Sequence, residues 1–256
     1  MSAPERLVPL NPWLLKSSSP RPFRLYCFSY AGGSAASFAD WPGQLGAQVE
    51  ICAVQLPGRG TRFHETPCTE LDQFIPTLAE VLAAQPAQPF AFFGHSLGAL
   101  VAFELARYQA WHGLAQPTQL IVSGCAAPRY RSPPEDLHLL PDGGLLERLR
   151  ELNGTPPEIL GHRELMEVLL PTIRADMAIA DLYRYRAGPL LDIPLSVFAG
   201  MQDDFDTPDQ TRGWREETSS LCDVYWFDGD HFFIQSERAR VFALLRDLLA
   251  PAAVSA

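Results

Sequence analysis

The chain has 256 residues, 47% of them hydrophobic, and a formal net charge of −10. That length and composition suit one large α/β domain with a sizeable core, or two small domains. The acidic balance without a dominant basic patch argues against nucleic acid as a partner, and no apolar run approaches the roughly 18 residues of a membrane span.

In chain order, Met1-Ser-Ala-Pro-Glu-Arg-Leu7 lacks the charged-then-apolar order of an export signal, so a cytoplasmic protein is expected. Residues 1–20 are rich in proline and serine and read as an irregular lead-in. Strand and helix signals then alternate, which predicts a mainly parallel sheet covered on both faces. Strands are expected at 24–29, 49–56, 90–94 and 119–125, with helices over 70–84 and 97–111; Pro76 is a candidate kink. After Ala127 the rhythm breaks. Residues 129–188 hold no convincing strand but three helical stretches, at 144–152, 162–170 and 173–185. Strands resume at 195–199 and 222–227, and a helix closes the chain at 236–249. An insertion of this kind between strands of one sheet reads as a lid, so a single domain over 1–256 with a helical lid at about 129–188 is expected. Five cysteines (Cys27, Cys52, Cys68, Cys125, Cys222) form no C-x-x-C pair and read as free thiols of a reducing compartment.

The chemistry concentrates in Gly94-His95-Ser96-Leu97-Gly98, placed between a short apolar strand and an amphipathic helix. A G-x-S-x-G pattern in that context is a nucleophile elbow: the glycines let the chain turn sharply and lift the Ser96 hydroxyl above the sheet edge. A serine hydroxyl needs a base, an orienter for the base and donors for a developing oxyanion. In α/β-hydrolases the partners follow in the order Ser, acid, His. Among six histidines, His231 follows the last strand in Asp228-Gly-Asp-His-Phe-Phe233 and is the expected base. His95 neighbours the nucleophile and points away from it. His64, His112, His138 and His162 lie in loops or lid and read as solvated. Asp203, after the strand at 195–199, is the favoured acid, with Asp204, Asp206 and Asp209 as close rivals. The oxyanion donors are expected to be the N–H of Leu97 and, from the Ala31-Gly32-Gly33 loop, the N–H of Ala31. In the lid, Ile173, Met177, Ala180 and Tyr183-Arg184 share a side at helical spacing, which fits a roof over an acyl pocket and equally a helix packed on the core. Arg59 and Arg62 read as loop-fixing residues and Arg129 and Arg131 as solvated ones, with contact to a phosphate or an acidic partner as the alternative for all four. Nothing in the pattern asks for a metal or cofactor.

With these residues in place, the chain resembles the stand-alone (type II) thioesterases that accompany modular polyketide and non-ribosomal peptide synthases. The resemblance spans residues 13–249 and rests on Cys27-Phe-Ser-Tyr-Ala-Gly-Gly-Ser34, Leu56-Pro-Gly-Arg-Gly-Thr-Arg62, Gly94 to Arg107, Leu170-Pro-Thr-Ile-Arg-Ala-Asp176 and Asp230-His-Phe-Phe233. It implies an α/β-hydrolase fold, Ser96 as nucleophile, Asp203 as acid, His231 as base, and Ala31 and Leu97 as oxyanion donors. It also implies hydrolysis of acyl groups from the phosphopantetheine of an acyl or peptidyl carrier protein, by a monomer without cofactor. Three positions depart from the family pattern: Ser29 and Asp204 stand where proline is usual, and Asp230 where glycine is usual. A carboxylate at 230 either raises the basicity of His231 or faces solvent. The alternatives are a fatty-acyl thioesterase, a general carboxylesterase, or a non-catalytic binding protein on the same fold.

Overall fold

The computed structural model describes residues 5–250. Its strands are β1 (Leu7–Asn11), β2 (Leu14–Ser17), β3 (Phe23–Phe28), β4 (Val49–Val54), β5 (Phe90–His95), β6 (Leu120–Ser123), β7 (Leu195–Gly200) and β8 (Cys222–Phe227). They form one sheet in the order β1-β2-β4-β3-β5-β6-β7-β8. The run from β4 to β8 is parallel throughout, and β2 and β1 extend it antiparallel at one edge. The α-helices among the described residues are α1 (Trp41–Gln44), α2 (Ile75–Ala83), α3 (Leu97–Trp111), α4 (Asp142–Leu152), α5 (Pro157–Leu160), α6 (Arg163–Leu182), α7 (Pro208–Arg212), α8 (Phe233–Ser236) and α9 (Arg238–Leu248).

Strand alternation sends neighbouring side chains to opposite faces, and here both faces are apolar. Tyr26, Phe28, Cys52, Val54 and Phe92 pack with Leu100 and Phe103 of α3 on one face. Leu25, Cys27, Ile51, Ala53 and Phe93 pack with Val241, Phe242 and Leu245 of α9 on the other. A third, smaller core made by Leu145, Leu149, Leu160, Met166, Leu170, Ile173 and Met177 belongs to the insertion between β6 and β7. That insertion contains no strand over residues 129–188, as expected. All five cysteines are free; Cys27, Cys52 and Cys125 are buried.

Four expectations need correction. The lead-in over residues 1–20 contains β1 and β2, while residues 1–4 lie outside the described residues. These strands are short and joined by a tight turn in which Asn11 Oδ1 accepts the Trp13 N–H at 2.9 Å. Pro9 fits because β1 is an edge strand. The helices expected at 162–170 and 173–185 are one helix, α6, with Pro171 inside it. Pro171 and Glu167, whose carbonyl loses its partner, share an exposed side of the helix, where solvent replaces the missing bond. Pro76 does not kink α2 but lies in its first turn, where its missing N–H costs no helical bond. The closing helix expected at 236–249 is broken into α8 and α9 at Glu237.

Candidate active site

Ser96 is the single residue between β5 and α3, at φ +55° and ψ −119°. This conformation is costly for a residue with a side chain and persists only when its surroundings impose it. Two contacts do so. The Ser96 N–H donates to the Ser123 carbonyl at 2.7 Å, tying the turn to β6. A Cβ on Gly98 would stand 2.1 Å from the Phe28 carbonyl oxygen, so α3 passes β3 at a distance that only glycine permits. The outcome is a hydroxyl at the N-terminus of a 15-residue helix, where the helix dipole favours negative charge.

The loops after β7 and β8 bring the other two expected residues to this hydroxyl. His231 Nε2 lies 3.0 Å from Ser96 Oγ, and His231 Nδ1 lies 2.8 Å from Asp203 Oδ2. A carboxylate oxygen accepts, so Nδ1 carries the proton and the Nε2 lone pair faces the hydroxyl. Asp203 Oδ1 accepts the Phe205 N–H at 3.0 Å, which fixes the carboxylate plane. Both side chains are nearly closed to solvent, at 8% and 5% exposure for His231 and Asp203. Among the rival carboxylates, Asp204 and Asp209 are exposed, and Asp209 pairs with Arg212. Asp206 lines the same cavity as Ser96. Burial, with the charge of Asp203 nearby, pushes its carboxyl up to about 6.

The expected oxyanion donors also meet here. Ala31 and Leu97 line the cavity beside Ser96. Leu97 opens α3, so its N–H has no carbonyl one turn earlier to bond. His95 points away from the nucleophile, yet it is not idle. It is fully buried, its Nδ1 lies 3.0 Å from Ser123 Oγ, and its ring centroid is 5.3 Å from that of His231. Burial and the neighbouring imidazole hold it well below the usual histidine range, so it stays neutral.

The cavity over Ser96 measures about 540 Å³. The sheet side contributes Tyr30 and Leu100, and the insertion contributes Leu149, Met177, Ala180 and Tyr183. Thus Met177, Ala180 and Tyr183-Arg184 of the expected stripe face the cavity, while Ile173 and Met177 also join the insertion's own core. Met177 serves as both roof and packing, whereas Ile173 packs without lining the cavity.

Several polar residues behave otherwise than expected. His138 is not solvated: its Nδ1 lies 2.7 Å from Asp181 Oδ2, joining the loop before α4 to α6. His162 is exposed, as expected, and accepts the Leu165 N–H at the start of α6. Arg131 is half-buried, lines the cavity, and donates to the Ala180 carbonyl at 3.3 Å. Arg129 is exposed and donates to Tyr185 Oη. Asp230 is half-buried beside the His231 turn. Its carboxylate accepts from the Phe232 N–H and from Asn153 Nδ2, so it shapes the His231 turn and ties it to the insertion. Arg62 does fix its loop, pairing with Glu65 and bonding the Gln55 carbonyl. Arg59 pairs with Asp176, whose role the sequence reading left unassigned. One signal was available: Asp176 interrupts the otherwise apolar run Ala175-Asp-Met-Ala-Ile179, and a charge in such a run needs a partner.

The chain matches the thioesterase domain family over residues 23–249. It is 38% identical to the gramicidin S biosynthesis protein GrsT of Aneurinibacillus migulanus over 248 residues, covering 94% of this chain and 97% of that protein. The thioesterase PikA5 of Streptomyces venezuelae is 38% identical over 84% of this chain and 76% of its own. Among solved structures, the type II thioesterase BorB from the borrelidin biosynthetic cluster superposes with a TM-score of 0.86 at 35% identity, covering 93% of this chain and 97% of BorB. An eight-stranded, mostly parallel sheet, a strained serine between strand and helix, and these likenesses lead to one conclusion: the chain belongs to the thioesterase family, as an enzyme of the type II branch with an α/β-hydrolase fold.

Proposed function

We propose that this chain hydrolyses acyl thioesters held on the phosphopantetheine arm of acyl or peptidyl carrier proteins, clearing stalled groups from a polyketide or non-ribosomal peptide assembly line. The observation that supports it most is the unbroken relay from Asp203 through His231 to Ser96, with steps of 2.8 and 3.0 Å, beneath a cavity of mixed polar and apolar lining in a thioesterase-family chain. The pathway assignment draws on the names of GrsT and BorB, which place those proteins in gramicidin S and borrelidin biosynthesis.

In this mechanism His231 Nε2 takes the Ser96 proton while Oγ attacks the thioester carbonyl carbon. The carbonyl electron pair moves onto oxygen, which accepts from the N–H groups of Ala31 and Leu97; one such donor is worth about 3 kcal/mol in the transition state. Collapse of the intermediate breaks the C–S bond. A thiol of pKa near ~8.5 leaves readily, and the imidazolium returns the proton to it. Water, deprotonated by the same Nε2, then attacks the acyl-serine and releases the acid. Asp203 keeps the imidazole in the productive tautomer and stabilises its protonated form. The helical insertion acts as the lid that closes water out around the acyl chain.

The test compares turnover of an acylated carrier protein with that of a p-nitrophenyl ester of the same acid. A strong preference for the carrier is expected; the opposite preference assigns a general esterase. A fluorophosphonate should label the protein at Ser96 and fail on Ser96→Ala. Folded wild-type protein that resists labelling would leave only a binding role.

A further inference from the structure

The oxyanion loop is held by a buried ion pair that comes from two other parts of the chain. Asp176 of α6 is fully buried, and Arg59, in the loop after β4, is 6% exposed. Their contact is bidentate, with Arg59 Nη1 and Nη2 each 2.7 Å from a carboxylate oxygen of Asp176. Asp176 Oδ2 also accepts the Gly32 N–H at 2.7 Å, and Arg59 Nη1 donates to the Gly33 carbonyl at 3.1 Å. One turn earlier on α6, Thr172 Oγ1 donates to the Gly58 carbonyl at 2.7 Å. The same helix meets the loop sterically: Gly32 sits at φ +74°, and a Cβ there would be 2.9 Å from Ile173 Cγ1.

These bonds orient successive peptide units. The Tyr30 carbonyl accepts the Gly33 N–H at 2.9 Å, and that carbonyl shares its plane with the Ala31 N–H, pointing the opposite way. The next unit is fixed through Gly32 N–H by Asp176, and the Gly33 carbonyl is fixed by Arg59. The Gly32 N–H is thereby occupied, which leaves the N–H of Ala31 as the loop's free donor beside Ser96. A buried ion pair is a poor source of stability, because apolar side chains of similar volume usually serve as well or better. Its distinctive property is direction.

We propose that Arg59 and Asp176 are positioning residues for the oxyanion loop, and that they fix the buried turn of α6 to it. It follows that the stretch of α6 directly after this turn, which brings Met177 and Ala180 to the cavity, is a permanent wall, since lifting it would pull the loop from Ser96. Opening for substrate then falls to the insertion before α6, at residues 131–162. The proposal rests on Ser96 as nucleophile and Ala31 as donor, and its test separates the two.

Wild-type protein that fails to react with a fluorophosphonate refutes the underlying reading. Given labelling, the paired variant Arg59→Met/Asp176→Leu removes the clamp without stranding a buried charge. Two inhibitors are compared: an alkylthio trifluoromethyl ketone, whose adduct with Ser96 places an oxyanion in the hole, and the methyl ketone of the same shape, which only fills the cavity. Loss of well-aimed oxyanion binding should lower kcat and trifluoromethyl ketone affinity together, by about 100-fold. KM and methyl ketone affinity should stay within a few fold. Arg59→Lys keeps the charge but not the bidentate fork, and should show the same pattern at about 10-fold. If the paired variant does not fold, the decision rests on Arg59→Lys. Unchanged kcat in folded protein, or equal loss of both ketones, overturns the proposal.

Discussion

The two halves of the site are built differently. Ser96, Asp203 and His231 sit on turns at the ends of β5, β7 and β8, and β5 and β7 are almost wholly buried in a continuous parallel ladder. The insertion has its own small core and is laced by pairs such as Arg148–Glu135, Arg163–Glu167 and Arg174–Asp142, each with an exposed partner. Exposed pairs of this kind contribute about 0–1 kcal/mol apiece. The proposed triad is therefore carried by the most continuously buried part of the molecule, while the insertion before α6 is held largely by exposed contacts. α6 belongs to both halves: its first turns join the insertion core and its buried second half grips the oxyanion loop.

The sharpest way to break this contrast is within the acid loop. Asp203→Asn should lower kcat by about 10⁴-fold through loss of the productive tautomer, with the melting temperature little changed. Asp206→Asn should lower it far less; the reverse ranking would move the acid three residues along the loop. Next in size is Gly98→Ala, whose Cβ would meet backbone oxygen at 2.1 Å. Backbone cannot yield as a side-chain tip does, so a loss of about 3 kcal/mol or more is expected in urea titrations. Its counterpart in the insertion, Gly143→Ala, meets nothing within 4 Å and lies in the first turn of α4. There the change should stabilise by at most about 0.5–1 kcal/mol through helix propensity and the entropy of the unfolded chain. Equal penalties at the two glycines would erase the contrast.

A pH-dependent effect of intermediate size separates Asp206 from its neighbours. Its carboxyl titrates near 6 in the folded protein, above the ordinary carboxylate range of the unfolded chain. Between those values the folded state holds the extra proton, so the residue's contribution to stability declines as pH rises from about 4 through 6. Asp206→Asn should therefore raise stability by up to about 3 kcal/mol at pH 7.5 and by almost nothing near pH 4. A gain that is the same at both pH values would show that ionisation of Asp206 is not its cause.

Much of this was legible in the residue order. The six parallel strands follow from apolar runs bounded by turn residues, and the glycine-flanked serine between strand and helix marks the elbow. Asp203 and His231 are readable because both follow strands whose carboxyl ends share an edge with β5. The edge strands β1 and β2 were not readable, since two short runs broken by Pro9 and Pro12 have no period of their own and gain order only by pairing with β4. The continuity of α6 through Pro171 was likewise decided by packing, which outweighs the local cost of a proline on an exposed side.

The amino-acid order by itself determined the sheet, the elbow and the placing of Ser96, Asp203 and His231 after successive strands, because these depend on local period and on turns at strand ends. Tertiary structure alone decided that His138 pairs with Asp181, that His95 lies against the base, and that Arg59 and Asp176 meet at Gly32. Each of these joins residues far apart along the chain. Whether a charge or imidazole stays solvated or finds a buried partner is settled by which surfaces the completed sheet and insertion bring together.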